Sequence, residues 1–219
     1  MDERVALKKP FDTKALVTLS SQASETAEAI RGLRTHIMAR HVREGHRALA
    51  ICAASEGVGC SFVAANLAVS LSQIGVNTLL IDANMRKPSI ASLFGRKGQG
   101  PDLRAALSSE MDFDSCIDTE ILPSLSILFS TDRAANAQEL LAGNRFEALM
   151  HFCLREYDAT IIDTPPANTC SDARRVSTVV GYSLIVARRN KSFVSDVKTL
   201  TEQLRGDHAE VIGTVLNEA

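Results

Sequence analysis

Three sets of residues in this chain are of types and spacings that could do chemistry. The first is Ala54-Ser55-Glu56-Gly57-Val58-Gly59-Cys60-Ser61, where two glycines lie just ahead of a hydroxyl. Glycines let a backbone approach a ligand closely, and successive N–H groups of such a loop converge on an anion. Against the phosphate-loop pattern G-x-x-x-x-G-K-[ST], Ala54 takes the first glycine position, Gly59 the second, and Ser61 the hydroxyl that reaches Mg²⁺. Cys60 stands where the lysine would be. The second set is Asp82 and Asp163, each closing an apolar run. Carboxylates there can hold Mg²⁺ directly or through water, although aspartate also ends strands simply as a turn residue. The third is Glu28, Arg31 and Arg34, at i, i+3, i+6. They form either an interaction surface or a solvated face with one ion pair worth about 0.2–0.5 kcal/mol.

These residues need elements to position them. Arg47 to Ala53 reads as a strand, followed by the loop and an alanine-rich helix ending near Gly75. Asn77 to Asp82 is a second strand, so the pair forms a parallel β-α-β unit. Further strands are expected at Leu125–Phe129, Ala159–Asp163, Tyr182–Ala187 and Val211–Leu216. Helices are expected over about Ser24–His41, Asp102–Leu107, Ala137–Leu141, Phe146–Tyr157 and Val194–Leu204, with Ser24 or Ser21 as a cap for the first. Ile90–Phe94 reads as a short turn. Residues 1–23 read as an N-terminal arm, mostly extended, with a strand-like piece at Ala15–Leu19, and 24–219 as one domain. The alternation predicts an α/β fold, a mostly parallel sheet with helices on both faces and ligands at the carboxyl ends of the strands.

The totals narrow the function. The 219 residues, 45% hydrophobic and 23% charged, suit one soluble domain. A net charge of −2 without a long basic tract argues against nucleic acid. Five cysteines lack C-x-x-C spacing, which suits a reducing cytoplasm. No run approaches 18 apolar residues, so a membrane role would need another chain to hold this one there.

The quoted residues together resemble the bacterial tyrosine kinases of capsule and exopolysaccharide synthesis, relatives of the deviant P-loop ATPases that position septa and partition DNA. Ser24 to Ile37 resembles the family's E-x-x-R-x-x-R helix, which implies ring-like oligomerisation through Glu28, Arg31 and Arg34. Val63 to Ala68 resembles the helix after Walker A. Leu80-Ile81-Asp82-Ala83-Asn84-Met85-Arg86-Lys87-Pro88 resembles Walker A′, D-x-D-x-R-x-P. Ile161 to Pro166 and then Ser171-Asp172-Ala173 resemble Walker B and the loop behind it, and Val215-Leu216-Asn217 the final strand, whose asparagine lies near the base. The resemblance implies a P-loop NTPase-like fold binding ATP or ADP with Mg²⁺. Gly57, Val58, Gly59, Cys60, Ser61, Phe62 and Asn217 would contact nucleotide, Ser61, Asp82 and Asp163 the metal, and Asp82 and Asp163 the catalytic centre.

The departures matter as much. The family loop S-x-P-G-E-G-K-S has Ala54, Glu56, Val58 and Cys60 at its first, third, fifth and seventh positions, and Asn84 replaces the second Walker A′ aspartate. No lysine lies between Ala53 and Ser61. Losing a hydrogen bond to a charged group costs about 1.5–3 kcal/mol, or about 10- to 150-fold in affinity. Transfer suffers more than binding, because charge on the γ-phosphoryl oxygens must be stabilised in the transition state. Cys60 is then either a small residue filling the helix start or a redox-sensitive thiol whose pKa the helix N-terminus lowers. The usual tyrosine cluster is missing at Asn217-Glu218-Ala219, and Tyr157 and Tyr182 are expected to pack. The expectation is a cytoplasmic, weakened kinase held at the inner face of the membrane by a separate membrane-spanning polysaccharide co-polymerase. Its rivals are an active autokinase or ATPase using Arg86, Lys87 or a neighbouring subunit as substitute cation, and an ATP-driven positioning protein.

Overall fold

A computed structural model describes residues 11–12, 14–20, 23–96 and 100–218. All six strands expected from apolar runs form, and five of them lie side by side. These five are β1 (Ala48–Cys52), β2 (Thr78–Asp82), β5 (Ala159–Asp163), β6 (Tyr182–Arg188) and β7 (Glu210–Asn217). With β3 (Asp118–Leu122) and β4 (Leu125–Leu128) they make one sheet in the order β3-β4-β2-β5-β1-β6-β7. Every pairing is parallel except β3 with β4. The chain steps to one side of β1 for β2 and later to the other side for β6, so the loop after β1 opens where connections diverge. In open α/β sheets that is where ligands bind.

The two-residue period of the strands divides the core. Leu49, Ile51, Leu80, Ile161, Leu184 and Val186 face one side, where they pack with α3 (Cys60–Ser72), itself covered by α2 (Glu25–Arg40). Ala48, Ala50, Cys52, Leu79, Ile81, Ile162 and Ile185 face the other. That side is covered by α5 (Leu103–Ser108), α6 (Ala137–Ala142), α7 (Asn144–Glu156), α8 (Asp172–Val180) and α9 (Val194–Gly206). From Val63 to Ser72 every residue of α3 is buried, which explains its run of alanine and other small residues. Ser24 caps α2, accepting from the Ala27 N–H at 3.1 Å, and Asp102 caps α5. Tyr157 is buried, and the Tyr182 hydroxyl meets His46 Nε2 at 3.2 Å.

Three local expectations need correction. Ala15–Leu19 is not a strand: Val17–Ser20 is a short helix, α1, while residues 1–10 of the expected arm lie outside the described residues. The side chains of α3 satisfy this segment's backbone and leave no need for a partner strand. Asn66 Oδ1 accepts from the Thr18 N–H at 3.2 Å and the Thr18 hydroxyl at 3.1 Å. Asn66 Nδ2 donates to the carbonyls of Ala15 at 2.8 Å and Phe62 at 2.9 Å. Second, β3 was absent from the sequence reading, because its polar, half-exposed Asp-Thr-Glu-Ile-Leu carries no apolar run. Third, the segment after Ser171 is not only a loop but begins α8, whose buried Ala173, Val176 and Ser177 recur at helical spacing. The expected turn at Ile90–Phe94 is one turn of helix, α4 (Ile90–Leu93).

Because all four hydrogen-bonding sites of buried Asn66 are used, Asn66→Ala is expected to lower unfolding free energy by about 2–4 kcal/mol. Urea denaturation measures it; a loss under 1 kcal/mol would mean that the α1 contact does not hold the N-terminal segment.

Candidate nucleotide site

β1 ends at Cys52, and the loop that follows carries Gly57 at φ +71° and Gly59 at φ +97°. Both angles lie in the left-handed region that favours glycine. A Cβ on Gly57 would meet the end of the Lys191 side chain and one on Gly59 the Asn217 side-chain amide, and either side chain would have to shift. Gly59 is the N-cap of α3, which opens at Cys60. The loop from Ser55 to Phe62 lines a cavity of about 260 Å³, closed by Asn84, Lys87, Pro88, Ser89, Thr164 and Pro166. The chain behind β5 grips the loop's first residues, since the N–H groups of Ala167 and Asn168 donate to the Ala53 and Ala54 carbonyls, each at 2.9 Å.

Asp82 and Asp163 end neighbouring parallel strands and are register partners. Both are fully buried. Asp82 accepts from the backbone N–H groups of Asn84 (3.2 Å), Ser89 (3.1 Å) and Ile90 (3.1 Å). Asp163 Oδ2 accepts from the Ser61 hydroxyl at 2.5 Å, while its Oδ1 is buried with no hydrogen-bond partner. Burial pushes Asp82 up to about 7, against the pull of its three N–H donors. Burial, and then the like charge of Asp82, hold Asp163 well above the usual carboxylate range, with the Ser61 hydroxyl and the Thr164 N–H opposing. The arrangement therefore fits a hard cation. Mg²⁺ takes oxygen ligands from one or two carboxylates and a hydroxyl, and its charge would satisfy the orphaned Oδ1. Asp163 and Ser61, with Asp82 alongside, are the residues that would hold it, supplying charge neutralisation to nucleotide phosphates.

Cys60 follows the first of its two readings. Its thiol is packed among protein groups, although the residue retains some surface. Burial, then the charge of Asp163, then Cys52 push it well above the ordinary thiol range. The lowered pKa expected at a helix N-terminus is thus corrected: a neighbouring carboxyl and desolvation outweigh the helix dipole. Asn84 works as a turn residue, with Oδ1 accepting from the Lys87 N–H at 3.1 Å. Both candidate substitute cations that follow β2 are already engaged by carboxylates. Arg86 is bidentate on buried Asp172 at 2.7 and 3.2 Å, and the Lys87 ammonium pairs with Glu56. Asn217 Nδ2 donates to the Val58 carbonyl at 2.9 Å, so it braces the loop as well as lying beside the second cavity. That cavity, of about 400 Å³, runs between Phe62, the first turns of α2 and Val215 to Glu218. Of the charged helix set, Glu28 and Arg31 pair with each other near the surface, whereas Arg34 turns inward to the Ser70 carbonyl at 3.1 Å and hydroxyl at 3.2 Å. Sequence reading missed Arg188 and Lys191, which both reach the Gly57 carbonyl. They belong to no recognised motif and sit some 130 residues from the loop.

A family model for ParA, described as NUBPL iron-transfer P-loop NTPase, matches residues 45–219. CapB of Staphylococcus aureus, named for tyrosine-protein kinase activity, is 30% identical over 211 residues, covering 96% of this chain and 92% of CapB. The chain belongs to the bacterial tyrosine-kinase family of P-loop NTPases. Tyrosine-protein kinase Wzc of Salmonella typhi is 30% identical over 95% of the chain, which spans 29% of Wzc; for EpsB of Ralstonia solanacearum that share is 25%. Among solved structures, the chimerical protein CapA2B2 superposes at a TM-score of 0.86 and 30% identity, covering 96% of this chain and 92% of that one. The kinase domain of Escherichia coli tyrosine kinase ETK gives 0.86 at 27%, covering 93% and 80%. MinD of Pyrococcus horikoshii, complexed with Mg-ADP, shares the fold at 19% identity and a TM-score of 0.69, covering 78% and 70%. As in those kinase structures, the fold is the α/β, mostly parallel, P-loop NTPase-like one expected. No helix among the described residues is long and apolar enough to cross a membrane.

The carboxyl pair makes stability pH-dependent. Asp82 rises from 3.8 unfolded to about 7 folded, so between those values the folded state holds a proton that the unfolded state releases. Its contribution is complete below about pH 4 and is lost as pH rises through 7. Buried His41 is displaced downward by desolvation and acts in the opposite direction, so the measurement compares variants. In EDTA, Asp163→Asn is expected to gain about 1–3 kcal/mol over the unaltered chain on going from pH 5 to pH 8. Thermal melts at both pH values test it, and a gap independent of pH would remove the raised pair.

Proposed function

We propose that this member of the tyrosine-kinase family binds ADP or ATP with Mg²⁺ but transfers phosphate feebly or not at all, serving exopolysaccharide assembly as the cytoplasmic regulatory partner of a membrane-spanning polysaccharide co-polymerase. The observation that carries it is the cradle: loop glycines, Ser61 and the two carboxyls are assembled, while Cys60 replaces the ammonium and Asn84 the second Walker A′ carboxylate. Binding draws on backbone N–H groups and the start of α3, which remain. Transfer needs a cation on the γ-phosphoryl oxygens and a group able to take the proton of the attacking hydroxyl. An amide at Asn84 cannot take it. The exopolysaccharide role and the co-polymerase rest on the family resemblance. Support for a positioning ATPase stops at the fold.

Glu28 and Arg31, at the surface of α2, would join copies of the chain. Arg34 would hold α2 against α3 and so keep that surface in place. Glu28→Ala with Arg31→Ala is expected to shift the chain to a smaller species in size-exclusion chromatography, with unchanged circular dichroism; an unchanged elution volume removes the interface.

Isothermal titration with Mg²⁺ and ADP or ATP, beside a tyrosine-phosphorylation assay, tests the main reading. The unaltered chain is expected to bind nucleotide with little transfer, and Cys60→Lys with Asn84→Asp to raise transfer by about 10²-fold or more. Rapid transfer by the unaltered chain sinks the proposal.

A further inference from the structure

The loop lacks its own lysine, yet two cations touch it from behind. Arg188 Nη1 and Lys191 Nζ both donate to the Gly57 carbonyl, each at 3.2 Å. Neither is in an ion pair among the described residues; the neighbouring Arg189 takes Glu218 instead. The turn that carries them is fixed, with the Ser192 hydroxyl accepting from the Arg188 N–H at 2.9 Å and the Lys191 and Ser192 N–H groups donating back to the Arg188 carbonyl at 3.2 and 2.9 Å. Arg188 is also the register partner of Asn217 across β6 and β7, and Asn217 holds the next loop carbonyl, that of Val58. The ends of these two strands thus take up two successive carbonyls of the loop.

We propose that Arg188 and Lys191 are phosphate-positioning residues, which supply from outside the loop the positive charge that Cys60 does not supply from within. The inference rests on the nucleotide-binding reading and names which side chains make that binding possible. In a trans peptide the N–H points opposite to the C=O, and the described chain has no cis bond. Cations on the Gly57 carbonyl and the Asn217 amide on the Val58 carbonyl therefore turn the N–H groups of Val58 and Gly59 away from β6 and β7. Val58 is held as well by its side chain, which is 1% exposed in the core under α3. Two converging N–H groups with left-handed glycines make an anion-accepting nest. A Cβ on Gly57 would displace the Lys191 ammonium from this arrangement. The ligand class is a nucleoside di- or triphosphate with Mg²⁺.

The test is isothermal titration of ADP with Mg²⁺ at 50 and 200 mM salt against the unaltered chain, Arg188→Met with Lys191→Met, and Lys198→Met as a control. The double variant is expected to bind about 10-fold more weakly or worse and with a shallower salt dependence. Adding Cys60→Lys to it should recover the affinity. Hydrogen exchange of the Val58 and Gly59 amides in the ligand-free protein should quicken in the double variant only, a readout that does not depend on nucleotide. Unaltered affinity in the double variant, or a loss that Cys60→Lys leaves unrepaired, overturns this assignment alone. No binding by the unaltered chain overturns the nucleotide reading and this inference with it.

Discussion

Two carboxyl groups buried side by side at the ends of adjacent strands cannot both be charged in a low-dielectric site unless something positive stands between them. That constraint organises the carboxyl edge of this sheet. Asp82 and Asp163 are register partners on β2 and β5, so the pairing that builds the sheet also forces the two groups together. The surroundings answer them unequally. Asp82 draws three backbone N–H groups from the turn that follows it, whereas Asp163 has one hydroxyl and an oxygen with no hydrogen-bond partner. Protons or a divalent cation can balance the rest, and the site therefore has two electrostatic states that a bound metal would switch between.

The loop is held by a different means. Its shape does not come from a lysine folding back on its own carbonyls. It comes from donors at the ends of β6 and β7, from the buried Val58 side chain, and from the N–H groups of Ala167 and Asn168 behind β5, which donate to the Ala53 and Ala54 carbonyls. Those elements belong to the sheet, so the loop inherits its rigidity.

How much of this could be read from the chain depends on how local the signal is. β5 matches its apolar run residue for residue, since a strand buried on both faces announces itself by composition alone. The edge strand β3 does not, because half of it faces water. α1 was misread as a strand because Ala15 to Leu19 is apolar and β-branched in type, while its true partner is Asn66, some 50 residues away on α3. The same distinction governs the site. Gly57, Gly59, Ser61, Asp82 and Asp163 were legible from spacing and come together in the structure. Arg188 and Lys191 were not, because a lysine in a turn carries no signature until the sheet brings it to Gly57. Arg34 carries a contact that its spacing did not indicate: its Nη1 donates to the Ser70 carbonyl and hydroxyl.

The substitutions in the loop form a set that the fold absorbs without loss of shape. Val58, in place of a family glutamate, is buried in the core under α3, where a carboxylate would need a partner. Glu56, in place of a proline, pairs with Lys87 across the cavity mouth and so neutralises a cation that could otherwise approach phosphate. Cys60 fills the first turn of α3 with a thiol that burial keeps protonated. Each change removes or redirects charge, and none disturbs the two left-handed glycines or the hydroxyl of Ser61.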